Sequence, residues 1–163
     1  MILIAVGSNL NSKLFGTPIQ NCINAIEILK EKVEIDKISK FYESEPIPKS
    51  DQPNYVNGVV SVKTRITPIK LLFELFDIEK FFKRKRNFKN EPRVIDLDLL
   101  CYNEISINTD ELILPHPRMH LRKFVIKPIC DINEEWKHPL LKIDAKKILK
   151  TLVNQKISNI KNV

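Results

Sequence analysis

Pro92-Arg93-Val94-Ile95-Asp96-Leu97-Asp98-Leu99-Leu100-Cys101 is an apolar run interrupted by acids at every second position. Alternate residues of a strand share a face, so this spacing predicts a strand over Val94–Cys101. Asp96 and Asp98 then point to one side, and Ile95, Leu97 and Leu99 enter a core on the other. Two neighbouring carboxylates repel, and beside a core they are costly unless a cation lies between them. Magnesium is suited to such a pair, because it takes one or two carboxylates and completes its shell with water and phosphate oxygens. A solvent-facing acidic strand paired with Arg93 is the other reading of the same spacing.

Upstream, Lys80, Lys83, Arg84, Lys85, Arg86, Lys89 and Arg93 crowd into one short stretch. Glycine occurs only at Gly7, Gly16 and Gly58, and none belongs to a GxxxxGK or GxGxxG turn. Any triphosphate must therefore be held by side-chain cations and metal. Arg84, Arg86, Lys89 and Arg93 are well placed for that, since guanidinium groups take phosphate oxygens in pairs. A basic loop without a partner, or one that touches nucleic acid, has the same composition.

The remaining pattern supplies a scaffold. Ile2–Val6 reads as a buried strand ended by Gly7-Ser8-Asn9. Pro18 opens a helix with Ile19, Cys22, Ile23, Ile26 and Leu29 on one face. Val33–Phe41 has strand character, Tyr42–Asn54 reads as a long loop with three prolines, and Tyr55–Val62 as a strand with alternating sides. Thr67-Pro68 begins a second helix. The predicted order is β-α-β-β-α-β, so the fold class is α+β with a ferredoxin-like core and an antiparallel sheet. A C-terminal extension adds a hairpin, a helix near Met119–Lys123 and a last helix after Ala145. One domain over 1–163 is expected.

The chain has 163 residues, 43% hydrophobic and 29% charged, as for a folded globular protein. Cys22, Cys101 and Cys130 lie far apart in apolar surroundings, which argues for reduced thiols and a cytoplasmic protein. No run is long enough for a bilayer, and no membrane partner is expected. The formal charge of +7 favours polyanionic partners. A basic ferredoxin-like nucleic-acid-binding module would share it. That module needs an aromatic-rich strand of the K/R-G-F/Y-G/A-F type, which is missing here, so no nucleic acid is expected. A regulatory small-molecule module without catalysis would leave the acid pair unexplained. His116 sits between Pro115 and Pro117, which fix its backbone. Tyr55 and Asn57 share a strand face and offer an aromatic plane and an amide edge.

These pieces together resemble the 6-hydroxymethyl-7,8-dihydropterin pyrophosphokinases. Pro92-Arg93-Val94-Ile95-Asp96-Leu97-Asp98 is similar to that family's signature. Gly7-Ser8-Asn9, Phe41-Tyr42-Glu43-Ser44 with Pro46, Asp51-Gln52-Pro53-Asn54-Tyr55-Val56-Asn57, Ile78-Glu79 and Pro115-His116-Pro117-Arg118-Met119 with Arg122 and Phe124 follow the family's order. The resemblance implies transfer of the β,γ-pyrophosphoryl group of ATP to the pterin hydroxymethyl oxygen. It implies two Mg2+ ions on Asp96 and Asp98, with Arg84 and Arg93 as catalytic cations. Glu79, Arg84, Arg86, Lys89, Arg93, Leu99, His116 and Arg122 would serve ATP, Arg86 and Lys89 from a lid. The pterin would lie between Tyr55 and Phe124, met by Asn57, Ser44 and Pro46, with Ile47 and Gly7 nearby. Asn90 and Glu91 stand where the family often has Trp and Gly. A monomer acting on small molecules is expected.

Overall fold

The computed structural model describes residues 1–82 and 92–161. In chain order its elements are β1 (Ile2–Ser8), α1 (Pro18–Lys30), β2 (Glu34–Ile38), β3 (Tyr42–Ser44), β4 (Tyr55–Lys63), α2 (Pro68–Phe81), β5 (Asp96–Tyr102), the hairpin β6 (Ile107–Asn108) and β7 (Ile113–Leu114), a 3-10 turn (Met119–Leu121), α3 (Lys123–Asn133), α4 (Ala145–Thr151) and β8 (Ile157–Asn159). The fold is mixed α and β, with four α-helices among the described residues. Strand order in the main sheet is β5-β1-β4-β3-β8, and β2 shares with β3 one edge of β4. Every pairing in it is antiparallel.

Each helix start has a local cause. Pro18 and Pro68 occupy first-turn positions, where a missing N–H costs nothing, and Gln20 Oε1 accepts the Thr17 N–H at 2.8 Å. The sheet is covered on both sides. Ile4, Val6 and Leu97 pack with Leu29 of α1 and with Leu71 and Leu75 of α2. On the other side Leu3, Val59 and Leu100 pack with Ile126 and Ile129 of α3 and Ile148 of α4. Double coverage is why β4 is buried from Asn57 to Val62 on both faces instead of alternating between core and solvent.

Several elements depart from the sequence reading. β1 continues through Gly7 and Ser8, because β4 and β5 pair with Gly7 from either side. Tyr42–Ser44 lies inside the expected loop but forms β3, seated between β4 and β8. The strand expected over Val33–Phe41 ends at Ile38, with a bulge between Ile35 and Lys37. The helix expected near Met119–Lys123 is a single 3-10 turn, and α3 follows it with Pro128 inside. Proline removes one helical hydrogen bond. Burial of Val125, Ile126, Ile129 and Ile132 stabilises the helix regardless.

Candidate active site

The β pairing aligns one row of residues across the sheet. Tyr42 of β3 faces Asn57 of β4, Asn57 faces Gly7 of β1, and Gly7 faces Asp96 of β5. One step along the strands, Val59, Ala5 and Asp98 make a second row. Partners directly opposite share a face. Val59 packs toward α3, so Asn57, Gly7, Asp96 and Asp98 all belong to the α3 side. A methyl on Gly7 would lie 3.5 Å from Asn57 Oδ1 and 3.9 Å from Asp96 Cβ. The glycine therefore leaves a gap between an amide and a carboxylate.

Cations collect at the carboxylate end. Arg93 donates to Asp96 Oδ2 at 2.8 Å, with side chains 16% and 23% exposed. Burial disfavours the Arg93 charge, but Asp96, Tyr55 and Asp98 outweigh it and raise the Arg93 pKa. Arg122 sits at the start of α3, lowered by burial and by Arg118 while Asp98 and Asp96 act the other way. His116 is tied to the end of β5 by its N–H, which donates to Leu100 O at 2.7 Å. Burial, Arg122 and Arg118 push its pKa down to about 4. Its Nδ1 accepts the Arg118 N–H at 3.2 Å, so the neutral ring carries its hydrogen on Nε2. His116 is thus an uncharged donor near neutrality, in the field of the Arg118 and Arg122 guanidinium groups.

An aromatic and amide wall forms the other end. Asn57 Nδ2 donates to Ser44 Oγ at 3.0 Å, which fixes the orientation of the amide. Tyr55 shares the face of Asn57 and its hydroxyl donates to Gln52 Oε1 at 3.0 Å. Phe124, in the first turn of α3, is half-buried with the Arg122 guanidinium 5.6 Å above its ring. Pro46 is buried and Ile47 is 51% exposed. Tyr42 donates to Asp131 Oδ2 at 2.8 Å, and Lys127 lies 5.2 Å over its ring. These contacts bind α3 to β3 and hold Phe124 on the sheet.

Two expected nucleotide residues occupy other positions. Leu99 is 4% exposed and packs in the core on the α1 and α2 side, opposite the carboxylates. Glu79 is 3% exposed, and its Oε1 accepts the Leu97 N–H at 2.9 Å. It grips β5 between the two aspartates. Arg84, Arg86 and Lys89, with Asn90 and Glu91, lie outside the described residues.

Asn9 was legible only as part of a turn. Its Oδ1 accepts the Arg93 N–H at 2.7 Å, and its own N–H donates to Arg93 O at 3.1 Å. Its Nδ2 donates to Pro53 O at 3.2 Å. One asparagine thus connects the cationic end to the Gln52–Tyr55 turn. Nothing in the sequence separation of these residues announces that link.

Among the described residues no three His, Cys, Asp or Glu side chains cluster as metal ligands. Asp96 and Asp98 nevertheless offer hard oxygen donors on one face, and two carboxylates with substrate oxygens are enough for Mg2+. No helix of the described residues is long and apolar enough to cross a membrane.

Residues 3–134 match the family model described as 7,8-dihydro-6-hydroxymethylpterin-pyrophosphokinase, HPPK. The chain is 37% identical to a 2-amino-4-hydroxy-6-hydroxymethyldihydropteridine pyrophosphokinase of Aquifex aeolicus, over 85% of this chain and 84% of that protein. It is 38% identical to a folic acid synthesis protein, fol1, of Pneumocystis carinii, over 96% of this chain but only 20% of that protein. In Dictyostelium discoideum the matched folic acid synthesis protein is likewise much longer, and the chain spans 24% of it. A solved HPPK-DHPS structure from Plasmodium falciparum superposes with a TM-score of 0.75 at 16% identity, covering 93% of this chain and 44% of that one. At that identity the likeness concerns the fold.

Proposed function

Because the chain belongs to the 7,8-dihydro-6-hydroxymethylpterin-pyrophosphokinase family, we propose that it transfers pyrophosphate from ATP to 6-hydroxymethyl-7,8-dihydropterin. The products are the pterin diphosphate and AMP, in folate biosynthesis. The observation that carries this reading is the row Asn57–Gly7–Asp96. An amide and a carboxylate stand there with only a glycine between them, which supports a site for a flat amide-bearing ring next to one for a metal-bound triphosphate.

In this reading the pterin lies between Tyr55 and Phe124, with Asn57, Ser44 and Pro46 at its edge, Gly7 beneath it and Ile47 nearby. Its hydroxymethyl oxygen points toward Asp96. That oxygen attacks the β-phosphorus and loses its proton to solvent, the bond from β-phosphorus to the oxygen bridging to the α-phosphorus breaks, and AMP leaves with that bridging oxygen. Two Mg2+ ions on Asp96 and Asp98 would supply charge neutralisation and bring phosphate oxygens and hydroxyl together. The chain does the rest by position. Arg93, already paired with Asp96, holds the carboxylate in place and has further N–H groups to offer to phosphate. His116 donates from Nε2, and Arg122 adds a cation from the residue that precedes α3. Arg84, Arg86 and Lys89 belong to the same reading as phosphate-binding cations. Leu99 and Glu79 take part by shaping β5 from the core side. Such transfers depend mainly on positioning and charge stabilisation.

The strand order β5-β1-β4-β2, with α1 and α2 on one face, supports a ferredoxin-like core. We read the residues after β5 as its extension, and the whole chain as one cytoplasmic, monomeric pyrophosphokinase domain. AMP release from ATP, measured by chromatography, tests the activity. It should require both Mg2+ and the reduced pterin. AMP formed equally without the pterin, or ADP as the nucleotide product, would refute the assignment.

A further inference from the structure

Asn21 lies in α1, on the sheet face opposite the carboxylates, and is fully buried. Its Nδ2 lies 2.9 Å from Leu10 O, 3.2 Å from Val94 O and 3.3 Å from Ser8 Oγ. Its Oδ1 is buried and meets no donor among the described residues. The two carbonyl acceptors fix the amide orientation, because a flipped amide would set oxygen against oxygen. A buried amide with an orphaned oxygen is a poor stabiliser: desolvating such a group costs about 1–3 kcal/mol. An apolar side chain of similar size would fill the space without the orphaned oxygen but would leave Leu10 O and Val94 O without this donor. The retained NH2 therefore points to a role in placement.

What it places is the chain that enters β5. Asn21 holds Val94 O and Leu10 O with one NH2 group. Beside it, the N–H groups of Asn9 and Leu10 both donate to Arg93 O, at 3.1 and 3.3 Å. Val94 separates Arg93 from Ile95, and Asp96 follows. The helix thus fixes the height of the Arg93–Asp96 pair relative to β1.

We propose that Asn21 is a positioning residue for the pyrophosphoryl transfer, acting through Val94 on Arg93 and Asp96; this rests on the reaction proposed above. A shift of ~1 Å in reacting groups can cost about a hundredfold in rate. Asn21→Leu removes both donors at nearly constant volume. Its kcat should fall at least about tenfold while KM for the pterin stays within about threefold. In an Asn21→Leu/Arg93→Ala double variant the second loss should be much smaller than in the wild-type background, because both act on one element. If Asn21→Leu does not fold, Asn21→Gln, which keeps the amide but displaces it by one methylene, must show the same pattern.

Wild-type kcat in a folded variant, or losses that multiply independently with Arg93→Ala, would reduce Asn21 to a fastener between helix and strand and overturn the proposal. The wild-type assay separates the two readings, since absence of AMP there sinks the reaction itself. Amide hydrogen exchange then decides the placement alone. Protection of the Asn9, Leu10 and Arg93 amides should drop at least about tenfold in Asn21→Leu, and unchanged protection would overturn it.

Discussion

Gly7→Ala tests the row across the sheet without disturbing the fold. The new Cβ would lie 3.5 Å from Asn57 Oδ1 and 3.9 Å from Asp96 Cβ, both ordinary contact distances. Gly7 is regular strand, paired on both sides, and its φ is not positive. Alanine can take that backbone, and reduced freedom of the unfolded chain contributes about 0.4–1 kcal/mol in its favour. The melting temperature should therefore hold or rise slightly. The methyl nevertheless fills the gap over which, in the proposed site, the pterin hydroxymethyl group reaches the Asp96 end. It stands about 1.5 Å above the Cα, a carbon–carbon bond length. A ring resting on that face must lift by a similar amount, and a ~1 Å misplacement costs about a hundredfold. Steady-state kinetics should show kcat/KM for the pterin falling by about two orders of magnitude, roughly 2.7 kcal/mol of barrier. The Kd of a non-hydrolysable ATP analogue should change little. Wild-type kcat/KM in a stably folded variant would mean that substrate does not cross Gly7, and the site would have to be redrawn.

Asp96→Asn and Asp98→Asn should each lose at least about tenfold in turnover, ~1.4 kcal/mol or more, since amides replace carboxylates poorly as Mg2+ ligands; circular dichroism checks that the fold persists, and near-normal rates would refute the metal assignment. Glu79→Ala strands the Leu97 N–H in the core and should cost about 1–3 kcal/mol of stability by urea titration. Glu79→Gln, which keeps an acceptor, should lose much less, and equal losses would deny the bond its importance. Phe124→Ala should raise the pterin Kd about ten- to hundredfold; because Arg122 rests over that ring, calorimetry should also show a smaller weakening for ATP, and equal losses with a collapsed melting temperature would make Phe124 a core residue only. His138 is buried, and burial with His120 nearby lowers its pKa to about 4. Its Nδ1 accepts the N–H groups of Leu140 and Leu141. Between its unfolded value of about 6.5 and 4 only the unfolded state binds the proton, so stability should be present above that window and fall as pH drops through it. His138→Gln should flatten the dependence of the urea midpoint on pH between those values, and an unchanged slope would assign the acid sensitivity elsewhere.

Local pattern was enough for much of this protein. The period-two spacing of Asp96 and Asp98 among Ile95, Leu97 and Leu99 already set both carboxylates on one face, because strand geometry depends on nothing further along the chain. Thr67-Pro68 marked a helix start for an equally local reason, and the absence of glycine-rich phosphate turns directed attention to arginines. The motifs from Gly7-Ser8-Asn9 to Phe124 carried the family resemblance without any knowledge of contacts. Distant partners decided the remainder. β3 is too short to show a period and exists because β4 and β8 bond it from both sides. α3 contains Pro128, which argues against a helix locally, yet burial of its apolar face prevails. Glu79 reads as a polar residue near a helix end, and only packing brings its carboxylate to the Leu97 N–H. Asn9 and Asn21 bond to Arg93 and Val94 across a long stretch of chain. A sequence records which donors and acceptors exist, but which of them meet is set by the closure of the sheet and the helices laid against it.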